Sequence, residues 1–212
     1  MRRSSTTKSI RLLSHERRLS KSGYKLVAGI DEAGRGPLAG PVVAGAVILK
    51  STCFACDIDD SKKLSSRKRD IAYREIFKKA YVGIGIVDEK VIDSINIYRA
   101  TIRAMEMALG DLGIPADYVI VDGTMKPSTG CPMKSIIGGD SKSLSIAAAS
   151  IIAKVTRDRI MEKYHKIFPQ YGFLHHKGYP TKAHKRALVE HGPSPIHRRS
   201  FRPVMERSLK IY

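Results

Sequence analysis

LVAGIDEAGRGPLAG, residues 26–40, is the stretch that decides the fold of this chain. Its apolar run has the length of a strand and ends in two adjacent carboxylates, Asp31 and Glu32, before a glycine-rich turn with one arginine, residues 34–37. Neighbouring side chains of a strand point to opposite faces, so the two acids share one target only if the chain twists there. Glycine supplies that freedom. A pair of acids is ordinarily a solvated strand end, but bare backbone that can approach a ligand favours a functional site.

The chain of 212 residues has the length of one domain, and its charge is strongly positive. Lys and Arg number 38 against 20 Asp and Glu, which gives a net charge of +18 and a pI of about 10.0. Such a surplus predicts a polyanionic partner, and nucleic acid is favoured over an anionic membrane surface.

Cysteine usage and hydropathy indicate the compartment. The three cysteines, Cys53, Cys56 and Cys131, cannot form a disulfide framework, and no apolar stretch approaches the roughly 20 residues of a membrane span. Cys53 and Cys56 form a lone CxxC, whereas structural zinc usually takes four ligands and no second pair with ligand spacing is present. We interpret them as reduced cysteines in a loop and expect a soluble, cytoplasmic protein with no membrane association.

The N-terminal segment is basic and rich in serine. Residues 1–25 hold eight basic residues and one acid, Glu16, a net charge of +7. The composition resembles a transit peptide, but a clean amphipathic stripe and an apolar core segment are lacking. We therefore predict a disordered basic arm over residues 1–24, with a solvated tail of no function as the alternative, and a single domain over residues 25–212.

Apolar patterning predicts the helices and strands of the rest of the chain. With the opening strand counted first, the predicted element order is β, β, α, β, α, β, β, α. Strands are predicted over residues 41–49, 81–88, 117–121 and 133–137, and helices over residues 65–80, 95–112 and 143–168. Gly45 inside the second strand indicates a bulge or a close approach. Small residues at 147–150 indicate that the last helix packs closely against a neighbour, for which a sheet is the simplest choice. This order predicts an α/β domain.

Four acids follow apolar segments at glycine-rich turns: Asp31, Glu32, Asp122 and Asp140. If they converge, their mutual repulsion at neutral pH requires a cation or protonation. Oxygen ligands without matched His or Cys favour Mg²⁺ or Mn²⁺. An acidic site on a basic protein is typical of metal-dependent phosphoryl chemistry on nucleic acid, and the choice between RNA and DNA stays open at this point.

Two other function classes compete with a nuclease. An apolar strand that ends in Asp-Glu also occurs in ATPases, but the phosphate-binding GxxxxGK[ST] loop that they require is missing from the sequence. A nucleic-acid-binding protein without catalysis would explain the charge, although it gives no reason to gather acids at strand ends.

The motifs of the chain resemble those of ribonuclease HII, the type 2 ribonuclease H family of bacteria. The matching stretches, in family order from residue 26 to 203, are GIDEAGRGPLAGPVVAGAVIL from Gly29, DSKKLS from Asp60, VDG from Val121, GDSKSLSIAAASIIAKVTRD from Gly139, YGFLHHKGYPTKAH from Tyr171 and PIHRRSF from Pro195. Only the first 25 residues fall outside this resemblance.

The resemblance implies a ribonuclease H-like fold, a mixed central sheet flanked by helices, with a short C-terminal helical extension over about residues 181–212. It implies endonucleolytic cleavage of RNA in RNA–DNA hybrids, and cleavage 5′ to a single ribonucleotide in duplex DNA, with 3′-hydroxyl and 5′-phosphate products. A role in removing ribonucleotides from DNA follows, and we expect a monomer.

The resemblance also implies a carboxylate quartet made of Asp31, Glu32, Asp122 and Asp140. Our mechanistic expectation is a two-metal site with Mg²⁺ or Mn²⁺, in which Asp31 bridges both ions. Asp140 would then bind the first ion, and Glu32 and Asp122 the second.

Substrate recognition is carried over in the same way. The resemblance implies that Gly34, Arg35 and Gly36 probe the ribose 2′-hydroxyl and its phosphates, and that Tyr179 packs on the sugar of the following nucleotide. Only the 2′-hydroxyl distinguishes RNA from DNA at a given site, and glycine backbone approaches it without an intervening side chain. Lys62 and His184 are candidate phosphate contacts, with a solvated or structural role as the alternative for each.

Overall fold

The computed structural model describes residues 12–208, and a mixed five-stranded sheet forms its centre. The strands are β1 (Val27–Ala33), β2 (Val42–Leu49), β3 (Ala80–Val87), β4 (Tyr118–Asp122) and β5 (Met133–Ile136). Their order across the sheet is β3-β2-β1-β4-β5. β2 is antiparallel to β1 and β3, whereas β4 is parallel to β1 and β5. The strand from the opening stretch is therefore the central one.

Helices cover both faces of this sheet, which confirms the predicted fold class. Within residues 12–208 the α-helices are α1 (Ser14–Lys21), α2 (Ser66–Lys79), α3 (Glu89–Gly110), α4 (Leu144–Ile167), α5 (Phe173–His176), α6 (Lys182–His191) and α7 (Arg202–Ser208). In that part of the chain no helix combines the length and the apolar character that crossing a membrane requires.

The helix α3 begins earlier than the apolar spacing predicted. Asp88, which we had assigned to the end of a strand, caps the helix by accepting a hydrogen bond from the N–H of Val91. The helix is interrupted at Asn96, where φ is 68°, and the Asn96 side chain accepts from the N–H of Arg99 where the second part begins. The predicted start therefore fell close to the interruption.

Small residues bring α4 against one face of the sheet, as the sequence predicted. A Cβ atom at Gly45 of β2 would lie 2.6 Å from the carbonyl oxygen of Ala149. The residues Ala147, Ala148 and Ala149 are fully buried and share an apolar cluster with Val47 and Ile152. The helix α3 covers the opposite face, and its own cluster includes alternate residues of β2. Gly45 thus marks a close approach rather than a bulge.

The N-terminal segment is ordered over its second half, so the prediction of a disordered arm is wrong for residues 14–21, which form α1. Leu12 and Leu13 are buried in the cluster beneath α4. Glu16 accepts hydrogen bonds from Ser143 and Ser145 at the start of α4. These contacts join residues far apart in sequence, so local composition could not reveal them. Residues 1–11 lie outside the described part.

The C-terminal part forms a small helical layer at the end of the sheet that carries the glycine-rich turn. Its apolar cluster joins Leu38 and Ala39 of that turn to Phe173 and Val204. An isolated β-bridge pairs Ala39 with His197. The predicted extension over residues 181–212 contains α6 and α7, and residues 209–212 lie outside the described part. This layer packs directly behind the turn.

Candidate metal centre

Three of the predicted acids converge at one edge of the sheet. Asp31 lies in β1 and Asp122 ends the parallel neighbour β4, with Ile30 paired to Val121 one residue earlier on each strand. Asp140 lies in a 3₁₀ turn, Gly139–Ser141, that follows β5. One carboxylate oxygen from each acid lies within 4.8 Å of the others. The parallel pairing explains this convergence, because the carboxyl ends of parallel strands meet at the same edge.

Hydrogen bonds fix the orientation of each of the three carboxylates. The N–H of Gly139 donates to Asp122 Oδ1 at 2.6 Å. The N–H of Glu32 donates to Asp31 Oδ1 at 2.7 Å. The ammonium of Lys62 donates to Asp140 Oδ2 at 3.1 Å. The site is therefore preorganised rather than assembled from free side chains.

The electrostatics of the cluster favour a bound cation. Burial, together with the nearby Glu32 and Asp122 carboxylates, raises the pKa of Asp31 well above its usual range. Burial also raises the pKa of Asp122, although the hydrogen bond from Gly139 opposes the shift. A divalent ion would relieve this repulsion. The donor set is all oxygen, which fits the predicted Mg²⁺ or Mn²⁺.

Glu32, the fourth predicted acid, lines a surface cleft together with Asp31 and Asp122, but it lies outside the three-acid cluster. Its Oε1 accepts from the guanidinium of Arg35 at 3.3 Å. Burial raises the pKa of Glu32, and Arg35 opposes that shift. The separation follows from strand geometry, since Glu32 is the immediate neighbour of Asp31 on β1.

The predicted recognition residues line this cleft with the acids. Its walls include Gly34, Arg35, Gly36, Lys62 and Tyr179. The ring of Tyr179 is 43% exposed, and a Cβ atom on Gly36 would lie 3.7 Å from its Cε1 atom. Lys62 has a side chain that is 78% exposed and contacts Asp140, so its proposed phosphate contact stays a prediction.

Two buried arginines that sequence reasoning missed hold the glycine-rich turn. Arg198 donates to the carbonyl oxygens of Gly34, Arg35 and Gly40 at 2.6, 3.0 and 2.9 Å. Its side chain is fully buried, and burial lowers its pKa to about 9. The backbone at Gly34 has a φ of +99°, a left-handed conformation that favours glycine. Arg198 therefore fixes Gly34 and Arg35, which follow the two acids after Ala33.

Arg157 of α4 supports the residues that follow this turn, at positions 39 and 41. It donates to the carbonyl oxygens of Pro41, Ala39 and Lys177 at 3.0, 3.1 and 3.0 Å. Burial lowers the pKa of Arg157 to about 10. The bond to Lys177 also ties the turn to the segment that carries Tyr179. Runs of basic residues normally face water, so nothing in the local sequence marked either arginine as buried.

His184 is not a phosphate contact, because its side chain is fully buried. Its Nδ1 donates to the carbonyl oxygen of Tyr179 at 2.9 Å, and its Nε2 lies 2.9 Å from Nε2 of His197. The N–H of Ser194 donates to Nδ1 of His197 at 2.9 Å. The chain of bonds is satisfied when both rings are neutral and His197 donates to His184. This arrangement favours the structural alternative for His184, whose ring binds the backbone of Tyr179.

The comparisons with known proteins all point to one family. The family model described as Ribonuclease HII matches residues 28–204. A ribonuclease HII of Enterococcus faecalis is 53% identical over 187 residues, which are 88% of this chain and 73% of the relative. A ribonuclease HII of Geobacter metallireducens is 52% identical over 196 residues, which are 92% of each chain. A solved ribonuclease H2 of Pyrococcus horikoshii matches with a TM-score of 0.71 at 25% identity, over 87% of this chain and 97% of that one.

The histidine pair predicts a loss of stability in mild acid. Burial lowers the pKa of His184 to about 4 and, with His184 nearby, that of His197 to about 3, whereas an unfolded imidazole titrates near 6.5. Between these values the unfolded state binds more protons, so this contribution to the unfolding free energy is complete above pH 6.5 and declines as the pH falls. The slope reaches about 1.4 kcal/mol per pH unit for each ring.

Imidazole NMR signals measure this directly, because each ring reports its own protonation. We expect the signals of His184 and His197 to stay constant from pH 8 to pH 5. Titration of either buried ring with a midpoint near 6.5 would contradict the neutral chain of hydrogen bonds.

Proposed function

The chain belongs to the ribonuclease HII family, and we propose that it cleaves at single ribonucleotides embedded in duplex DNA as well as within RNA–DNA hybrids. Membership of the family makes it an endoribonuclease H, a hydrolase. At an embedded ribonucleotide the cut would fall on its 5′ side and leave 3′-hydroxyl and 5′-phosphate ends. The observation that carries the proposal is the convergence of Asp31, Asp122 and Asp140 beside the glycine-rich turn.

The carboxylates are proposed to hold two divalent cations, Mg²⁺ or Mn²⁺. Asp31 would contribute to both positions, Asp140 to one, and Asp122 and Glu32 to the other. Such ions, when bound, activate a water nucleophile and stabilise the leaving 3′-oxygen. In this arrangement the side chain of Glu32 would turn away from Arg35 and toward the three-acid cluster. The exposed guanidinium of Arg35 could then bind a phosphate of the substrate.

The turn is proposed to read the ribose. Because Arg198 occupies the carbonyl oxygens of Gly34 and Arg35, the backbone N–H groups of residues 34–36 are the donors that the turn can offer to a sugar or phosphate oxygen. The absence of a side chain at Gly36 leaves room between the turn and the ring of Tyr179. A 2′-hydroxyl fits such a site as an acceptor.

The ring of Tyr179 is proposed to rest on the sugar of the next nucleotide. It is exposed, and it lies between Gly178 and Pro180, where proline disfavours helical backbone for the preceding residue. The bond from His184 and an N–H bond from Tyr179 itself to His176 hold the backbone from two sides. A flat ring sterically prefers a deoxyribose at that position. We further propose that the protein acts as a cytoplasmic monomer.

Cleavage of a duplex that carries one ribonucleotide tests the proposal. With Mg²⁺ or Mn²⁺ present we expect a single cut on the 5′ side of the ribonucleotide, and with EDTA no product, because the carboxylates cannot act without a cation. Denaturing gels with end-labelled strands measure both. Binding without cleavage under either metal would support a nucleic-acid-binding protein instead.

Asp31→Asn is the control for that experiment. It should abolish cleavage and keep or improve substrate affinity, since it removes a negative charge that faces phosphates. Parallel loss of affinity and turnover would assign Asp31 a structural role.

Tyr179→Ala tests recognition of the junction. Stacking of an aromatic ring on nucleic acid is worth ~1–3 kcal/mol, so kcat/KM should fall roughly ten- to a hundredfold on a single ribonucleotide that is followed by DNA. The loss should be smaller on continuous hybrid, where a ribose occupies that position. Tyr98→Ala, which removes a ring that is 49% exposed on α3, is the matched control and should change neither rate. Equal losses on both substrates together with a lowered Tm would remove Tyr179 from the site.

A further inference from the structure

Glu16 of α1 connects the N-terminal helix to the turn that carries the metal-binding acids. Its Oε1 accepts from the hydroxyl of Ser143 at 2.6 Å, from the hydroxyl of Ser145 at 2.8 Å and from the N–H of Ser145 at 3.0 Å. Both serines are fully buried. Glu16 precedes residues 28–204, the part that the family model matches. The helix α1 thus adds a contact to the part of the chain that the family model matches.

A continuous path of hydrogen bonds leads from Glu16 to the metal centre. The N–H of Ser143 donates to the carbonyl oxygen of Gly139 at 2.8 Å. The N–H of Gly139 donates to Asp122 Oδ1 at 2.6 Å. Asp140 directly follows Gly139, so one turn positions two of the three clustered acids. Two residues, Ser143 and Gly139, therefore separate the Glu16 carboxylate from Asp122, a proposed metal ligand.

Ser143 is held in one orientation by its two roles. Its hydroxyl oxygen accepts from the N–H of Ile146 and thereby caps α4, while its hydroxyl hydrogen is directed to Glu16. A carboxylate at the N-terminus of a helix of 24 residues is also favoured by the helix dipole. Loss of Glu16 would free the Ser143 rotor at the point where the turn meets the helix.

We propose that Glu16 is a positioning residue for the metal-binding acids Asp122 and Asp140. It acts through Ser143 and Gly139 and touches neither substrate nor cation. The catalytic consequence rests on the proposed function, whereas the consequence for cation binding does not. Outer hydrogen-bonding partners of metal ligands typically contribute 10–100-fold to metal affinity.

The helix α1 has enough apolar contacts to stay folded without Glu16. Leu12 and Leu13 pack with Leu144 in one cluster, and Leu19 packs against Ile146 in another. A variant at Glu16 therefore tests the hydrogen bonds rather than the presence of the helix. Ser20 is exposed on the same helix and serves as a matched control.

The test is Mn²⁺ titration of the full chain, followed by electron paramagnetic resonance of the free ion. Glu16→Ala should weaken Mn²⁺ binding about tenfold, and at limiting Mn²⁺ it should lower kcat with KM for the nucleic acid unchanged. Glu16→Gln should restore most of the affinity, because its amide oxygen can still accept from the serines. Ser20→Ala should match the wild type. If Glu16→Ala folds poorly, Glu16→Asp takes its place. The aspartate side chain is too short to reach both serines, so this variant should also weaken Mn²⁺ binding.

Unchanged Mn²⁺ affinity in Glu16→Ala and Glu16→Asp, with only a lowered Tm, would overturn the inference and leave Glu16 as a staple for α1. Failure of the proposed function gives a different result. In that case the wild type binds Mn²⁺ without cleaving the ribonucleotide duplex, and the Mn²⁺ affinities of the variants still decide the role of Glu16.

Discussion

The glycine-rich turn of this protein depends on two guanidinium groups that are buried against backbone carbonyl oxygens. Within residues 12–208, Arg157 and Arg198 make six hydrogen bonds to carbonyl oxygens and no ion pair with a carboxylate. Burying a charge is costly unless hydrogen bonds compensate it, and the lowered pKa of each group reflects that cost. These hydrogen bonds hold the turn at residues 34–41 in place. The proposed recognition of a single hydroxyl group would need such a fixed frame.

The three-acid cluster depends on a different constraint, the parallel pairing of β1 with β4. This pairing brings Asp31 and Asp122 to one edge, and the turn before α4 adds Asp140. The three-acid cluster and the glycine-rich turn adjoin each other between Asp31 and Gly34, where the central strand β1 ends. Asp31 and the turn are thus close in sequence but supported by separate contacts. The proposed chemistry and the proposed recognition of ribose can therefore be perturbed independently.

The sequence allowed the sheet and its main helices to be predicted, because apolar periodicity is a local signal. A quartet of acids was implied by the resemblance to a family, and the structure brings three of the four together. Glu16 could not be predicted as an anchor, since its partners lie about 127 residues further along the chain. Arg157 and Arg198 were overlooked because arginine is normally exposed. For His184 the sequence left a phosphate contact and a structural role open, and the burial of its side chain favours the structural role. Glu32 resembles its neighbour Asp31 in sequence, and only the alternation of the strand separates their side chains.

Arg198 supports the glycine-rich turn without contacting the metal-binding acids, so Arg198→Lys should separate the proposed recognition of ribose from cation binding. Lysine keeps the charge but cannot reach three carbonyls with one fork. We predict that kcat/KM on a single-ribonucleotide duplex falls by about a hundredfold, the effect of a small misplacement, while Mn²⁺ affinity is unchanged. Arg202→Lys, at an exposed arginine paired with Glu206, is the control. An unchanged kcat/KM would show that the activity does not depend on the support of the turn by Arg198. An equal loss of Mn²⁺ affinity would show that this support is not independent of the metal centre.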